Sequence, residues 1–186
     1  MPKRLMMIAA TLLIVTGVVV SANGAWIYAK ARLAQVLLRL AWAETLRGTH
    51  EVKPWPWADT HPVASLSFPG QHERLIVLAG ASGRTMAFAP GHVDGTAEPG
   101  RGGNCVISGH RDTQFLLLEN VNRGDAIVLE SVSGKRLYHV TSLRVVDSND
   151  VSVLRRTAQD RLTLITCYPF HQLVPGGPLR YVVVAS

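Results

Sequence analysis

The chain is short of the residues that mark several common classes. Two cysteines, Cys105 and Cys167, stand among 186 residues, too few for a disulfide-rich scaffold or a four-cysteine zinc site. Charged residues make up only 17% and hydrophobic ones 47%, which excludes a disordered polar chain. Acid is scarce at the N-terminus: residues 1–50 hold six cations (Lys3, Arg4, Lys30, Arg32, Arg39, Arg47) and one acid, Glu44, a net +5. Residues 51–186 hold thirteen cations and twelve acids, a net +1. Without a basic face, zinc-finger spacing or an aromatic RNA-binding signature, this near-neutral part is not expected to bind nucleic acid. Its histidines lack short helical spacing and its acids are scattered, so no metal and no cofactor is expected.

Charge is missing altogether from Leu5 to Ala29, between Arg4 and Lys30. Twenty-five helical residues reach about 37 Å, enough to cross a bilayer core of about 30 Å with some tilt. Lys3 and Arg4 before an apolar run, with Val20-Ser21-Ala22 behind it, also fit a cleaved signal peptide. The run continues past that point through Trp26 and Tyr28, which suit a membrane interface. We read residues 1–29 as an uncleaved signal anchor; with or without cleavage, residues 51–186 are exported. Flanking charge leaves the orientation open, since Lys30, Arg32 and Arg39 oppose Lys3 and Arg4.

Residues 30–47 are rich in Ala and Leu without Gly or Pro and predict a helical continuation, which Gly48 can end. Pro54 and Pro56 then break any regular element. Residues 30–52 are thus a helical stalk and linker, and 53–186 a separate domain. From Pro62 on, short apolar or alternating runs recur between turn residues. Strands are expected near Val63–Phe68, Arg74–Ala79, Thr85–Phe88, Asn104–Ser108, Ala126–Ser131, Arg136–Val145, Leu162–Cys167 and Leu179–Val184, with a hairpin turn at Ser133-Gly134. Phe115–Val121 and Val151–Gln159 can each hold a short helix. Eight short strands with so little helix predict a mainly β domain, a small closed barrel or sandwich.

Three segments carry chemistry. Ser108-Gly109-His110-Arg111-Asp112-Thr113 ends an apolar strand, Thr163-Leu164-Ile165-Thr166-Cys167-Tyr168-Pro169-Phe170 runs a strand into a cysteine, and Leu179-Arg180-Tyr181 opens a strand with one cation. A thiolate is a nucleophile, an imidazole protonates a leaving amine, and a guanidinium stabilises a tetrahedral oxyanion. Together they suffice for acyl transfer through a thioester. Taken singly, each has a bland reading: a lone cysteine is commonly a small core residue, and a lone His or Arg a structural one.

These segments, in this order, resemble the signature segments of sortases. So does Pro90-Gly91-His92-Val93-Asp94-Gly95-Thr96 leading into Gly103-Asn104, and Trp55-Pro56-Trp57-Ala58-Asp59-Thr60 looks most like the Gram-negative branch, class GN. The resemblance runs over roughly residues 53–186. It implies an eight-stranded sortase-type β-barrel with short helices behind an N-terminal transmembrane helix and helical stalk. It implies a cysteine transpeptidase and endopeptidase, a thiol protease that sorts cell-surface proteins. Cys167 would be the nucleophile, His110 the general acid/base and Arg180 the oxyanion donor. His92, Thr166 and Tyr168 are substrate-binding candidates, with His92 in a supporting place. The implied partner is an exported protein with an LPXTG-like C-terminal sorting signal, cut between Thr and Gly. The acyl group passes to an amine acceptor that the sequence does not identify. The implied location is the inner membrane, single-pass, with the catalytic domain on the periplasmic side.

Two rivals differ in testable ways. An L,D-transpeptidase-like acyltransferase expects a Ser-x-Gly-Cys-x-Arg segment, whereas Cys167 sits in Thr-Cys-Tyr and Arg180 lies thirteen residues on. A membrane-tethered binding domain would not need Cys167, His110 and Arg180 together. His171 lies four residues past Cys167 with Pro169 between them, so closeness in sequence is no sign of contact. Cys105 is expected to be a small buried residue on its strand and not a disulfide partner of Cys167.

Overall fold

The computed structural model describes residues 2–172, 174 and 176–186. Helix α1 spans Pro2–Leu46. It stops where glycine permits a left-handed backbone: Gly48 has φ +103° and donates its N–H to the Thr45 carbonyl at 3.1 Å, while Thr49 reaches back to Glu44. This is the usual way of satisfying the last carbonyls of a helix.

The chain divides into two compact units, residues 1–36 and Leu37–Ser186. The first is helical, and from Lys3 to Leu33 its side chains are exposed. The helix is long and apolar enough to cross a membrane.

The second unit is a closed β-barrel. Its strands are β1 (Pro62–Phe68), β2 (Glu73–Ala79), β3 (Gly91–His92), β4 (Asn104–Ser108), β5 (Ala126–Ser131), β6 (Gly134–Asp147), β7 (Arg161–Tyr168) and β8 (Leu179–Ala185). They close in the order β1-β2-β3-β4-β7-β8-β6-β5. Alternation sorts the side chains. Leu66, Val77, Ile107, Ile127, Leu129, Leu162, Leu164 and Val183 fill the interior with Phe115 and Leu118. Outside, Val182 and Val184 pack with Val153 from the β6–β7 connection. Leu38 and Trp42 lie in a third cluster with Ile76, Leu78 and Ala89. The stretch expected as a stalk therefore contributes core to this unit.

The sequence expectation fails at the third strand. Thr85–Phe88 is not a strand: α2 occupies Gly83–Met86, and the strand is the two-residue Gly91–His92. Thr85 looks apt for a strand, but the Ser82 hydroxyl accepts from the Thr85 N–H at 3.2 Å and caps a helical turn instead. Gly91 is required by contact, since a Cβ there would come within 2.1 Å of the Gly80 carbonyl oxygen. The expected helices shrink to 3₁₀ turns, Leu116–Asn120 and Val151–Leu154. Strand β6 is longer than expected at both ends, because β8 and β5 each supply it with a hydrogen-bonding edge. The Trp55–Thr60 segment is tied down by an edge-on Trp55–Phe88 contact at 4.9 Å and by the Thr60 hydroxyl donating to Ala79 at 2.7 Å.

Two leucines on one helix test the packing. Leu38 is fully buried and Leu40 is exposed. Leu38→Ala should lower stability by about 2–5 kcal/mol, as filled apolar sites do. Leu40→Ala should stay within about 0.5 kcal/mol. Chemical denaturation of the full chain in detergent reads both, and equal costs would contradict the burial of Leu38.

Candidate active site

Strand register brings the three chemical segments together. In the antiparallel β7–β8 pair, Cys167 lies directly opposite Arg180. In the parallel β4–β7 pair, the register runs from Asn104 with Arg161 to Ser108 with Ile165. Carried two residues further, it sets His110 beside Cys167. The backbone keeps that alignment past the end of β4: Gly109 donates to the Ile165 carbonyl at 3.1 Å, and the Thr166 hydroxyl donates to the Gly109 carbonyl at 2.8 Å.

Alternation then puts the three side chains on one face. Leu162 and Leu164 point into the barrel and Ile165 packs outside, so Cys167 faces outward. On β8, Val183 and Ala185 are interior while Val182 and Val184 are exterior, so Arg180 faces outward too. Cys105 and Ile107 are interior on β4, which gives the position of His110 the outward parity. Cys167 and Arg180 are half-buried and His110 is exposed.

Each group has a distinct setting. The Arg180 Nη1 donates to the carbonyls of Gly177 and Leu179, both at 2.9 Å, and among the described residues its Nε and Nη2 have no partner. The His110 main chain is held at both ends: its N–H donates to Gln114 Oε1 at 3.3 Å, and its carbonyl accepts from Phe115 at 2.9 Å. Among the described residues no carboxylate orients the His110 ring. Gly109 must be glycine for packing reasons, since a Cβ there would lie 2.9 Å from the buried Phe115 ring.

The three secondary candidates are engaged by the fold. His92 is buried, with Nε2 2.9 Å from the Ala97 carbonyl and 3.1 Å from the Thr96 hydroxyl. Thr166 is buried and spends its hydroxyl on Gly109. Tyr168 has the opposite parity to Cys167, stacked on Tyr181 at 6.1 Å and edge-on to Phe170 at 6.1 Å. Sequence reading missed Arg111, which is buried beside the His110 backbone with its guanidinium bonded into the β7–β8 connection.

A cysteine-bearing strand end flanked in register by an imidazole and a guanidinium, on a closed eight-stranded barrel, can be compared with known proteins. The sortase domain family matches residues 66–186. The chain belongs to the sortase family. Sortase D of Bacillus subtilis is 30% identical over 119 residues, covering 63% of this chain and 60% of that protein. The chain thus spans less than two thirds of that sortase. Among solved structures, sortase C-1 of Actinomyces oris shares 28% identity with a TM-score of 0.58, covering 67% of this chain and 73% of that one. Sortase A from Corynebacterium diphtheriae shares 25% identity over 82% of each chain, with a TM-score of 0.62.

The two thiols of this sortase are both free, Cys105 buried and Cys167 half-buried. They lie on opposite faces of the sheet. Burial, with smaller contributions from Glu98 and Asp160, pushes the Cys105 thiol from 9.0 up to about 12. At pH 8, an alkylating agent should therefore modify one thiol per folded chain, at Cys167, and reach Cys105 only on unfolding. Between about pH 9 and 12 the unfolded chain releases the Cys105 proton and the folded chain keeps it, so stability should fall as pH rises through that window. Rapid double labelling, or a Cys105–Cys167 bridge in non-reduced digests, would contradict the placement.

Proposed function

We propose that this chain is a membrane-anchored cysteine transpeptidase. In this reading it cleaves an LPXTG-like C-terminal sorting signal between Thr and Gly and passes the acyl group to an amine. The observation that carries the reading is the in-register alignment of Cys167 between Arg180 and the His110 position on one outward face. The Cys167 sulfur attacks the Thr carbonyl carbon, and the carbonyl oxygen gains the negative charge. The open side of the Arg180 guanidinium is suited to that oxyanion, because donors already in place cost no reorganisation during the reaction. His110 gives a proton to the departing Gly nitrogen as the C–N bond breaks, leaving a thioester on Cys167. The acceptor amine then attacks the thioester carbonyl. His110 takes the proton the amine loses, and the Cys167 sulfur leaves as thiolate, so that both groups return to their starting protonation.

Half-burial of Cys167 supports this assignment, since a nucleophile must be reachable by a peptide carbonyl. His92, Thr166 and Tyr168 fit a role in holding the walls of the site better than direct substrate contact, because their polar groups and rings are occupied within the fold. The organisation we propose keeps 1–29 as the anchor, 30–52 as stalk and linker, and 53–186 as the catalytic domain. The Trp55–Thr60 segment supports placing the chain in the Gram-negative branch. Its membrane would then be the inner one, with the catalytic domain on the periplasmic side and a sorting-signal protein as partner.

A peptide bearing the LPXTG motif, assayed with and without a small amine, tests the reading. Cys167→Ala should abolish both cleavage and transfer. His110→Ala and Arg180→Ala should each lower turnover by about 100-fold or more. Arg180→Lys should not restore full turnover, because an ammonium lacks the planar fork. A mass spectrum of the acylated Cys167 tryptic peptide would identify the intermediate, and near-normal turnover in any of the alanine variants would overturn the assignment.

A further inference from the structure

Arg111 is 3% exposed, an unusual place for a charge in a near-neutral domain. A guanidinium carries five N–H groups, and all five are used here. Nε donates to Asp112 at 3.2 Å, Nη1 to the Pro169 carbonyl at 2.9 Å and Gln172 Oε1 at 3.3 Å, and Nη2 to the carbonyls of Gln172 at 3.1 Å and Val174 at 2.9 Å. The one carboxylate among them is 63% exposed, so water screens that pair and it holds little. The other four bonds all run to one segment, the connection between Cys167 on β7 and Arg180 on β8.

Among its described residues that connection forms no helix or strand, and Gly176 and Gly177 adopt positive φ. Among the described residues its other ties lie near its two ends or in the open: Phe170 packs on Tyr168 and Tyr181, Arg180 Nη1 reaches the Gly177 carbonyl at 2.9 Å, and His171 meets Glu119 at 2.7 Å on the exposed surface. A buried cation is costly unless fully hydrogen-bonded. Here every donor is satisfied, and the acceptors at Pro169, Gln172 and Val174 are mostly main-chain carbonyls that no strand ladder pairs. Arg111 also adjoins His110 in the chain. One side chain therefore links the backbone carrying the imidazole to the segment joining the thiol and the second guanidinium.

We propose that Arg111 is a positioning residue. Its buried guanidinium clamps Pro169, Gln172 and Val174 against the His110 backbone, and so fixes Cys167 and Arg180 relative to His110. The catalytic consequence rests on the proposed sortase reaction; the clamp itself does not.

Arg111→Lys and Arg111→Gln, made in the full chain in detergent, separate the two. Folded molecules are counted in each sample as those whose Cys105 resists alkylation. Per folded molecule, both variants should show kcat for the LPXTG peptide lowered by about 10- to 100-fold, as loss of alignment does. KM should stay within about threefold, since the missing group touches no substrate. Arg111→Lys should not rescue, having three donors at one point instead of a planar fork of five. Backbone amides in 170–180 should exchange at least about tenfold faster, while those of β2 stay unchanged. Wild-type kcat per folded molecule, with activity lost only through unfolding, would overturn the proposal; so would unchanged exchange in 170–180. If the wild-type chain itself fails to turn over the peptide, the functional reading falls, and the exchange measurement alone decides the clamp.

Discussion

The hydrogen-bonded register between β4, β7 and β8 is the constraint on which the site depends. Three residues separated by up to seventy positions in sequence become neighbours because two strand ladders fix them, one parallel and one antiparallel. A strand has a side-chain period of two, so a slip of one residue in either ladder would send Cys167 or its partners to the opposite face. The barrel interior opposes such a slip. Leu162, Leu164 and Val183 would leave the core, and Ile165 and Val182 would be driven in from outside. The apolar core thus sets the geometry of a polar site on the opposite face of the sheet.

The same alternation separates two cysteines that composition alone makes equivalent. Cys105 is interior, desolvated and held as a thiol; Cys167 is exterior and half-buried. Their difference follows from strand parity and from position along the strand. Cys105 pairs with Leu162 in mid-barrel, while Cys167 stands at the end of β7 where the sheet gives way to a turn.

Much of this arrangement was legible in the sequence, because it is built from signals of short range. Seven of the eight strands were readable from alternation and turn residues, and the motif segments singled out Cys167, His110 and Arg180, which the strand register then brings together. What escaped had a tertiary cause. Gly91–His92 is too short to show any period, and it is a strand only because β2 and β4 flank it. The Thr85 region has strand-like residues but is captured by a local cap from Ser82. Leu38 and Trp42 look like any other apolar residues in a helix until Ile76 and Leu78 are placed beside them. Arg111 reads as a surface charge, since nothing in the sequence announces that five acceptors converge on it.

The distribution of side-chain hydrogen bonds across the site follows how regular each element is. Cys167 and Arg180 stand on paired strands, where the ladder itself fixes the backbone and strand-borne groups are held most rigidly. His110 lies two residues beyond the end of β4, outside any ladder, and it is here that tertiary contacts concentrate. Gln114 holds its N–H and reaches on to the Met86 carbonyl, Thr166 holds the Gly109 carbonyl, and Phe115 fills the space that a side chain at Gly109 would occupy. The connection from β7 to β8 is the other irregular element, and it draws four bonds from one guanidinium. Where the sheet stops supplying order, buried polar side chains take over, and each is satisfied because an unpaired one would cost more than the order it brings.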